Sequence, residues 1–369
     1  MNILIVSLFP LEYNTSVAVS SIGIIRGLLS LGHQITVMMP YEPDSSITLD
    51  DDLSSLRIIR IPGRPQLPSS NRMYEKFRNQ LTILDHRTRG FLKEARHVTV
   101  PNEFFDLVIS VSDPKTSHVF TKRLIRRGLK CGRWIQHWGD PISGDISHKC
   151  RLPGCIVHSY ESHLIRSADK AIYVTPFTYA EIKALYPHLK DRLSFVPLPA
   201  EVQSDSTIQT PSKPLRVVYS GAYTGQIRNI LPLYEACKQL TDIELTIVGF
   251  GVPLEEQDNI RIIPHTTHEK AVQIENDADV LVAICNRRGS QIPGKIFYKS
   301  SSQKHILVAV EEYNRNEMYD YLGSYDRYIL CDNNVASIKA TLAGLIGRHC
   351  AYRTPERLQS INIASEILS

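Results

Sequence analysis

The sequence of 369 residues has no apolar run long enough to cross a membrane. Its opening, MNILIVSLFP, has no basic stretch before it and no small-residue cleavage site after it, so it reads as a first β-strand and not as an export signal. Seven cysteines are scattered: Cys131, Cys150, Cys155, Cys237, Cys285, Cys331 and Cys350. They form no C-x-x-C pair and their number is odd. That argues against a disulfide framework or a zinc module and for a reducing cytoplasm. No His/Asp cluster has metal-ligand spacing, so no metal is expected. Short tandem repeats and low-complexity tails are absent, which excludes a solenoid and a disordered chain. No nucleic-acid-binding module is recognisable, and nucleic acid is not an expected partner.

What is present suits two domains. The apolar fraction of 43% and the charged fraction of 22% are those of a globular protein. Charge is uneven. Residues 1–200 carry 25 Lys/Arg against 18 Asp/Glu, and the remainder 17 against 20. The excess sits in two stretches. One runs from Arg72 to Arg96 with Lys76, Arg78, Arg87, Arg89 and Lys93; the other runs from Lys122 to Arg133 with Arg123, Arg126, Arg127 and Lys130. Such stretches are either solvated helix faces or attractors of phosphate, including an anionic membrane surface.

Apolar runs alternate with helical stretches. ILIVSLF (3–9), QITVMMP (34–40), RIIRI (57–61), FDLVISVS (105–112), RWIQHW (133–138), KAIYVT (170–175) and LSFVPL (193–198) read as strands. Helices are expected over 17–31, ending at Gly32, and over 117–129, 159–168 and 177–186, with a basic helical region over 72–97. A segment rich in Pro, Ser, Thr and Gln then reads as a linker over 201–214. Strands follow at 215–221, 243–249, 260–264, 279–285, 305–310 and 327–331. Helices are expected over 230–240, from 294, over 334–348 and over 354–368. Alternation of this kind predicts an α/β protein with parallel sheets. We therefore expect Rossmann-like domains at 1–200 and 215–350, and a C-terminal helix within 351–369 that packs back on the first.

Ligands of such sheets bind beyond the carboxyl ends of the strands, which singles out a few residues. In VVYSGAYTGQIRN (217–229), Ser220 and Gly221 allow backbone to approach a diphosphate, and Arg228 offers a fork of donors. A tight turn with a surface arginine is the plainer alternative. LTIVGFG (245–251) runs into a Gly-x-Gly turn at Gly249. In SQIPGKIFYKSS, the Pro293–Gly294 turn is followed by Lys295 and Ile296 opening a helix, whose N-terminus would favour an anion. In WIQHWGDP, His137 and Asp140 end a buried strand. Asp140 either caps the following turn or meets a hydroxyl. Asp113, in SDPKTSH, follows another strand with the same ambiguity. Glu161 and His163 fall inside a helix, where a satisfied polar role is favoured.

These segments, in order and spacing, resemble the GT-B superfamily of glycosyltransferases, closest to retaining family 4. PGKIFYKSSSQKHILVAV is similar to that family's lysine-bearing donor element. IVGFG with NIRIIPHTTHEKAVQIENDADVLVAIC, IRSADKAIYVTPFTYAEIKALYP with LSFVPLP, and the loops ISVSDPKTSH and WIQHWGDP match further family segments. The resemblance covers nearly the whole chain. It implies two Rossmann-like domains with parallel sheets facing across a cleft, and a metal-independent, retaining, hexosyl-type transferase that needs no cofactor beyond its nucleoside-diphosphate-sugar donor. Arg228 and Lys295 would pair the donor diphosphate. Gly249 and the segment near His265 would underlie the nucleoside, and His137 would touch the donor sugar. Asn14 and Thr15, in the place of a usual Gly-Gly, would join Asp113 and Asp140 on the acceptor side. The implied acceptor is a glycan or a lipid-linked glycan, as in bacterial surface polysaccharide (lipopolysaccharide, O-antigen) synthesis. The implied location is cytoplasmic, peripheral on the inner membrane face, with 72–96 meeting anionic lipid.

The sequence also departs from the family. Ser290 and Tyr298 stand where it carries two glutamates, the second of which holds the ribose, and Ala222 stands where many members have arginine. Tyr298 is accordingly a candidate donor contact, and the nucleotide stays open. Two alternatives remain: a sugar-nucleotide 2-epimerase, for which only Glu12 is offered in the N-terminal loop, and a non-catalytic scaffold.

Overall fold

The structure, a computed structural model, describes residues 1–12, 15–40, 51–54, 56–62, 72–85, 88–148, 150–201, 213–264, 266, 268–348 and 351–369. The chain divides into two compact units. The first holds Met1–Pro199 and Ser360–Ser369, the second Ala200–Gln359.

In the first unit the order is β1 (Asn2–Ser7), α1 (Ser16–Ser30), β2 (Gln34–Pro40), β3 (Arg57–Ile61), α2 (Arg72–Gln80), α3 (Arg89–Glu94), β4 (Phe104–Val111), α4 (Thr116–Arg126), β5 (Lys130–Trp138), α5 (Gly154–Arg166), β6 (Lys170–Tyr173), α6 (Pro176–Leu185) and β7 (Leu193–Phe195). Among the described residues the strands form one parallel sheet ordered β3-β2-β1-β4-β5-β6-β7. Both faces are covered, so neighbouring residues of one strand enter different cores. Ile3 and Ile5 pack on one side with Val37 and Ile109, while Leu4 and Val6 pack on the other with Met38 and Val108. Local chemistry sets the helix ends. Thr15 caps α1 by accepting the Ala18 N–H at 3.3 Å. Gly32 follows that helix at a φ of +77°, which a side chain would resist.

The second unit runs β8 (Leu215–Ser220), α7 (Leu231–Cys237), β9 (Ile243–Val248), β10 (Ile260–Ile263), α8 (His268–Asn276), β11 (Val280–Ile284), α9 (Lys295–Tyr298), β12 (His305–Val310), α10 (Arg315–Gly323), β13 (Ile329–Asp332) and α11 (Val335–Ala343). Its sheet, again parallel among the described residues, is ordered β10-β9-β8-β11-β12-β13. The main core lies on the α7/α11 face. The opposite face has a small apolar patch of Val218, Ala278 and Leu281 beneath Ile274 of α8. After α11 the chain returns to the first unit as α12 (Ser360–Leu368), which packs along α1.

The basic region 72–97 is helical in two pieces, α2 and α3. Two expectations need correcting. A helix begins at Gly154, straight after Pro153, rather than at 159. The helix opened by Lys295 lasts one turn before tightening into a 3-10 turn at Lys299–Ser301, so its dipole offers an anion little and Lys295's own charge is what remains. Helices α8 and α10 were not anticipated. Both are short and polar, with few apolar positions to reveal a period.

Candidate functional site

Both sheets reverse their strand order at one point, between β1 and β4 in the first unit and between β8 and β11 in the second. Open α/β sheets hold ligands at the carboxyl side of this point.

In the second unit the reversal falls at the Ser220–Gly221 turn. Gly221 has a φ of +145° and Gly249 one of +140°. The two turns touch. A Cβ on Gly249 would stand 2.1 Å from the Gly221 carbonyl oxygen, and one on Gly251 2.2 Å from that of Tyr223. Only glycine permits this approach. The Gly221 N–H donates to the Val248 carbonyl at 2.9 Å and the Gly249 N–H to that of Ile263 at 3.0 Å. Arg228 reaches back over the turn. Its Nε donates to Asn286 Oδ1 at 3.1 Å, and its Nη1 lies 3.5 Å from the Ala222 carbonyl, which also accepts the Tyr219 hydroxyl at 2.9 Å. Asn286 is held in turn by donating to the Gln291 carbonyl at 2.9 Å.

On the other side of Ser220 lies a network of charges. The Lys295 ammonium donates to the Ser220 hydroxyl, which itself donates to the Glu275 carboxylate. Lys295 also pairs with Glu275 at 3.1 Å. Lys299 bridges Glu275 at 3.0 Å and Glu201 at 3.1 Å. Burial alone would raise the Glu275 carboxyl. Lys295 and Lys299, with the Ser220 and Lys299 hydrogen bonds, hold it down to about 2. Burial works against the Lys299 charge, yet Glu275 and Glu201 raise its pKa. Ser220, Glu275, Lys295 and Lys299 line a small cavity together with Val218, Leu281, Ala283 and Ile306. The turn thus carries Lys295, partly exposed, and the half-buried Arg228 as cations at its rim.

In the first unit Val111 and His137 are register partners at the ends of β4 and β5. The loops beyond them therefore run side by side, tied by the Gly139 N–H donating to Ser112 Oγ at 3.0 Å. Asp113 and Asp140 share a hydrogen bond there. Lys115 clamps Asp113 at 3.0 Å and the buried Asp145 at 2.7 Å. Burial, then the charges of Asp113 and Asp145, push Asp140 up to about 7 against the pull of Lys115. Lys115 outweighs burial at Asp145 and lowers it. His137 is buried with neither ring nitrogen hydrogen-bonded, and burial pushes it down to about 4. Glu161, fully buried, accepts the N–H of Ile142 at 2.5 Å, that of Ser143 at 3.2 Å and the Tyr186 hydroxyl at 2.8 Å. It fixes the loop that follows Asp140. Among the described residues, no three His, Cys, Asp or Glu side chains are grouped to hold a metal ion.

No protein-family model matches the chain, and no curated protein matches it. Solved structures do. A sucrose-phosphate synthase from Thermosynechococcus elongatus superposes with a TM-score of 0.58 at 11% identity, covering 100% of this chain and 94% of its own. HepE from Anabaena, in complex with UDP and glucose, gives 0.56 at 9% identity over 100% and 94%. The lipopolysaccharide outer core galactosyltransferase WaaB, in its apo form, gives 0.50 at 13% over 100% and 99%. The chain has the GT-B fold.

Within this GT-B chain, the strand-end turn of the second unit gathers Ser220, Gly221, Arg228, Gly249 and Lys295 from four separate segments. Pro293 and Gly294 form the turn that delivers Lys295, and Tyr298 is buried with its ring against Gly294. Ile296 is fully buried, and its N–H donates to the Pro293 carbonyl at 3.1 Å. The first unit brings Asp113, Asp140 and His137 to adjoining strand ends. Thr15 is at the start of α1 as its cap. Asn14 and His265 lie outside the described residues. Sequence reasoning missed Glu275, Lys299, Asn286, Lys115 and Asp145. Ala271 and Ile274, nearly one turn apart, were the slight sign of the helix that carries Glu275.

Proposed function

We propose that the protein is a glycosyltransferase that moves a hexosyl group from a nucleoside-diphosphate sugar to a hydroxyl of a glycan or lipid-linked glycan, as in bacterial surface polysaccharide synthesis. One observation carries the reading: two cations, Lys295 and Arg228, stand on either side of a glycine-only turn at the strand-order reversal of the second unit. The GT-B fold supports it, as does the UDP held by HepE. In this reading the diphosphate lies against Ser220 and Gly221. Lys295 and Arg228 balance the charge that develops on it as the bond from the anomeric carbon to the phosphate oxygen breaks. A new bond forms to the acceptor oxygen on the same face of the sugar, and the acceptor hydroxyl passes its proton to the departing phosphate oxygen. Asp140 accepts a hydrogen bond from that hydroxyl, with Asp113 beside it, and His137 meets the transferred sugar. We take the reaction to be retaining and independent of metal and cofactor, as the resemblance to family 4 implies.

The test is a melting-temperature screen against UDP, GDP, CMP and dTDP and their common sugars. A nucleotide present at 100 times its Kd should stabilise by about 2.7 kcal/mol. We expect a shift with one nucleotide, UDP being the first to try, and its loss in Lys295→Ala and in Arg228→Ala, with transfer persisting in EDTA. Binding that is indifferent to both substitutions would remove the donor site from this turn. Binding without transfer to any acceptor would favour the scaffold alternative, which Ser290 and Tyr298 in the place of glutamates already supports.

A further inference from the structure

Glu275 puts a carboxylate beside the turn where the donor diphosphate is to lie, and it is buried, its side chain 8% exposed. Taking a carboxylate out of water is costly, and a buried ion pair is weak ground for stability alone. Its surroundings show what else it does. Four charges alternate in a line. Lys295 meets Glu275 at 3.1 Å, Glu275 meets Lys299 at 3.0 Å, and Lys299 meets Glu201 at 3.1 Å. The Lys299 side chain is 14% exposed, whereas that of Lys295, at the other end of the line, is 44% exposed.

An ammonium group has three N–H bonds to give. In Lys295 one goes to the Ser220 hydroxyl and one to Glu275 Oε1, and Ser220 donates to that same oxygen. Lys295, Ser220 and Glu275 thus close a ring of hydrogen bonds. The third N–H meets no other described residue. A lysine on its four-carbon stem otherwise samples many rotamers, and a cation that must be ordered as its ligand arrives loses part of its attraction to that ordering. The ring orders Lys295 beforehand. Lys299 compensates Glu275 from the buried side, so the Lys295 charge is not cancelled at the rim. Resting on the donor-site reading above, we propose that Glu275, with Ser220, is a positioning residue for the transfer: it holds the Lys295 ammonium beside the Gly221 turn, so that the third N–H meets the diphosphate as charge develops on it. Lys295 touches the leaving group; Glu275 acts through it.

Glu275 acts on the donor in two opposed senses. Its charge repels a diphosphate, while its hold on Lys295 favours the transition state, where the leaving diphosphate is more negative than in the nucleotide sugar. The test uses the whole chain and follows release of nucleoside diphosphate, to water or to a glycan acceptor, from the nucleotide sugar selected by the melting screen, UDP-glucose first. Glu275→Gln keeps the shape and removes the charge. We expect kcat to fall about tenfold or more while KM for the donor is unchanged or lower. In Lys295→Met, adding Glu275→Gln should change kcat by less than about twofold, because Glu275 acts through that lysine. Ser220→Ala opens the ring and leaves no charge unpaired. It should lower kcat about threefold, again only while Lys295 is present, and it decides the matter if thermal melts show that Glu275→Gln does not fold. Parent-level kcat in Glu275→Gln, or a raised KM at unchanged kcat, would overturn the proposal. So would equal losses with and without Lys295, the mark of a merely structural role. If Lys295→Met itself changes neither donor binding nor release, it is the donor-site reading that fails. No release by the parent protein would remove the transferase reading and this inference with it.

Discussion

At the scale of single residues, the first unit stores two groups whose protonation pulls in opposite directions. His137 is held near 4 by burial, so its contribution to stability is full above its ordinary value near 6.5 and is lost as pH falls from there towards 4. Asp140, raised to about 7, favours the folded state while it keeps its proton. Its contribution is present at low pH and lost as pH climbs from about 4 to 7. The two offset each other across the same window. Asp140→Asn removes one side. We expect it to raise stability at pH 8 by about 1–2 kcal/mol, to steepen the loss below pH 6.5 that His137 causes, and to lower transfer. Urea unfolding at pH 8 and pH 5 would show it, and an unchanged midpoint at pH 8 would mean that ionised Asp140 costs nothing. His137 and Asp140 were legible as residues because both end an apolar run. The Asp113–Asp140 pairing was not, because it depends on β4 lying beside β5. Nor was the Lys115–Asp145 clamp, whose members stand in two loops that no local pattern links.

At the scale of elements, the strands could be read from the sequence because parallel strands covered on both faces must be apolar throughout. The elements that escaped are those held by polar contacts. Helix α8 is short and charged, and its functional member Glu275 meets Ser220 and Lys295, each far away in sequence. One-turn α9 looked longer because its apolar residues Ile296 and Phe297 belong to the core without continuing as a helix. The glycine turns were legible individually but not their mutual contact. Gly249→Ala tests that contact: its Cβ would enter the Gly221 carbonyl in a backbone conformation that already favours glycine. We expect a loss of about 4 kcal/mol or more and no nucleotide binding. Gly32→Ala, where nothing lies within 4 Å of the added Cβ, should cost only the αL penalty of about 1–2 kcal/mol. Equal losses for the two would show that close approach at Gly249 adds nothing.

At the scale of the molecule, the first unit is built from two stretches far apart in sequence. Ile363, Ala364 and Ile367 of α12 are fully buried with the core face of α1, where Gly27 leaves no room for a Cβ beside the Ser360 carbonyl. A chain stopped after Gln359 should lose on the order of 5 kcal/mol from the first unit, comparable with a domain's whole stability. Amide exchange in β1 and β4 should then quicken by orders of magnitude while β8 and β9 keep their protection; equal loss in both sheets would contradict the division into units. The same arrangement bears on biosynthesis. A ribosome adding about 5–20 residues per second makes residues 360–369 only after all of residues 200–359. The unit translated first is thus completed last, after roughly 10–30 s in which the Gly23 and Gly27 face of α1 waits uncovered within reach of chaperones.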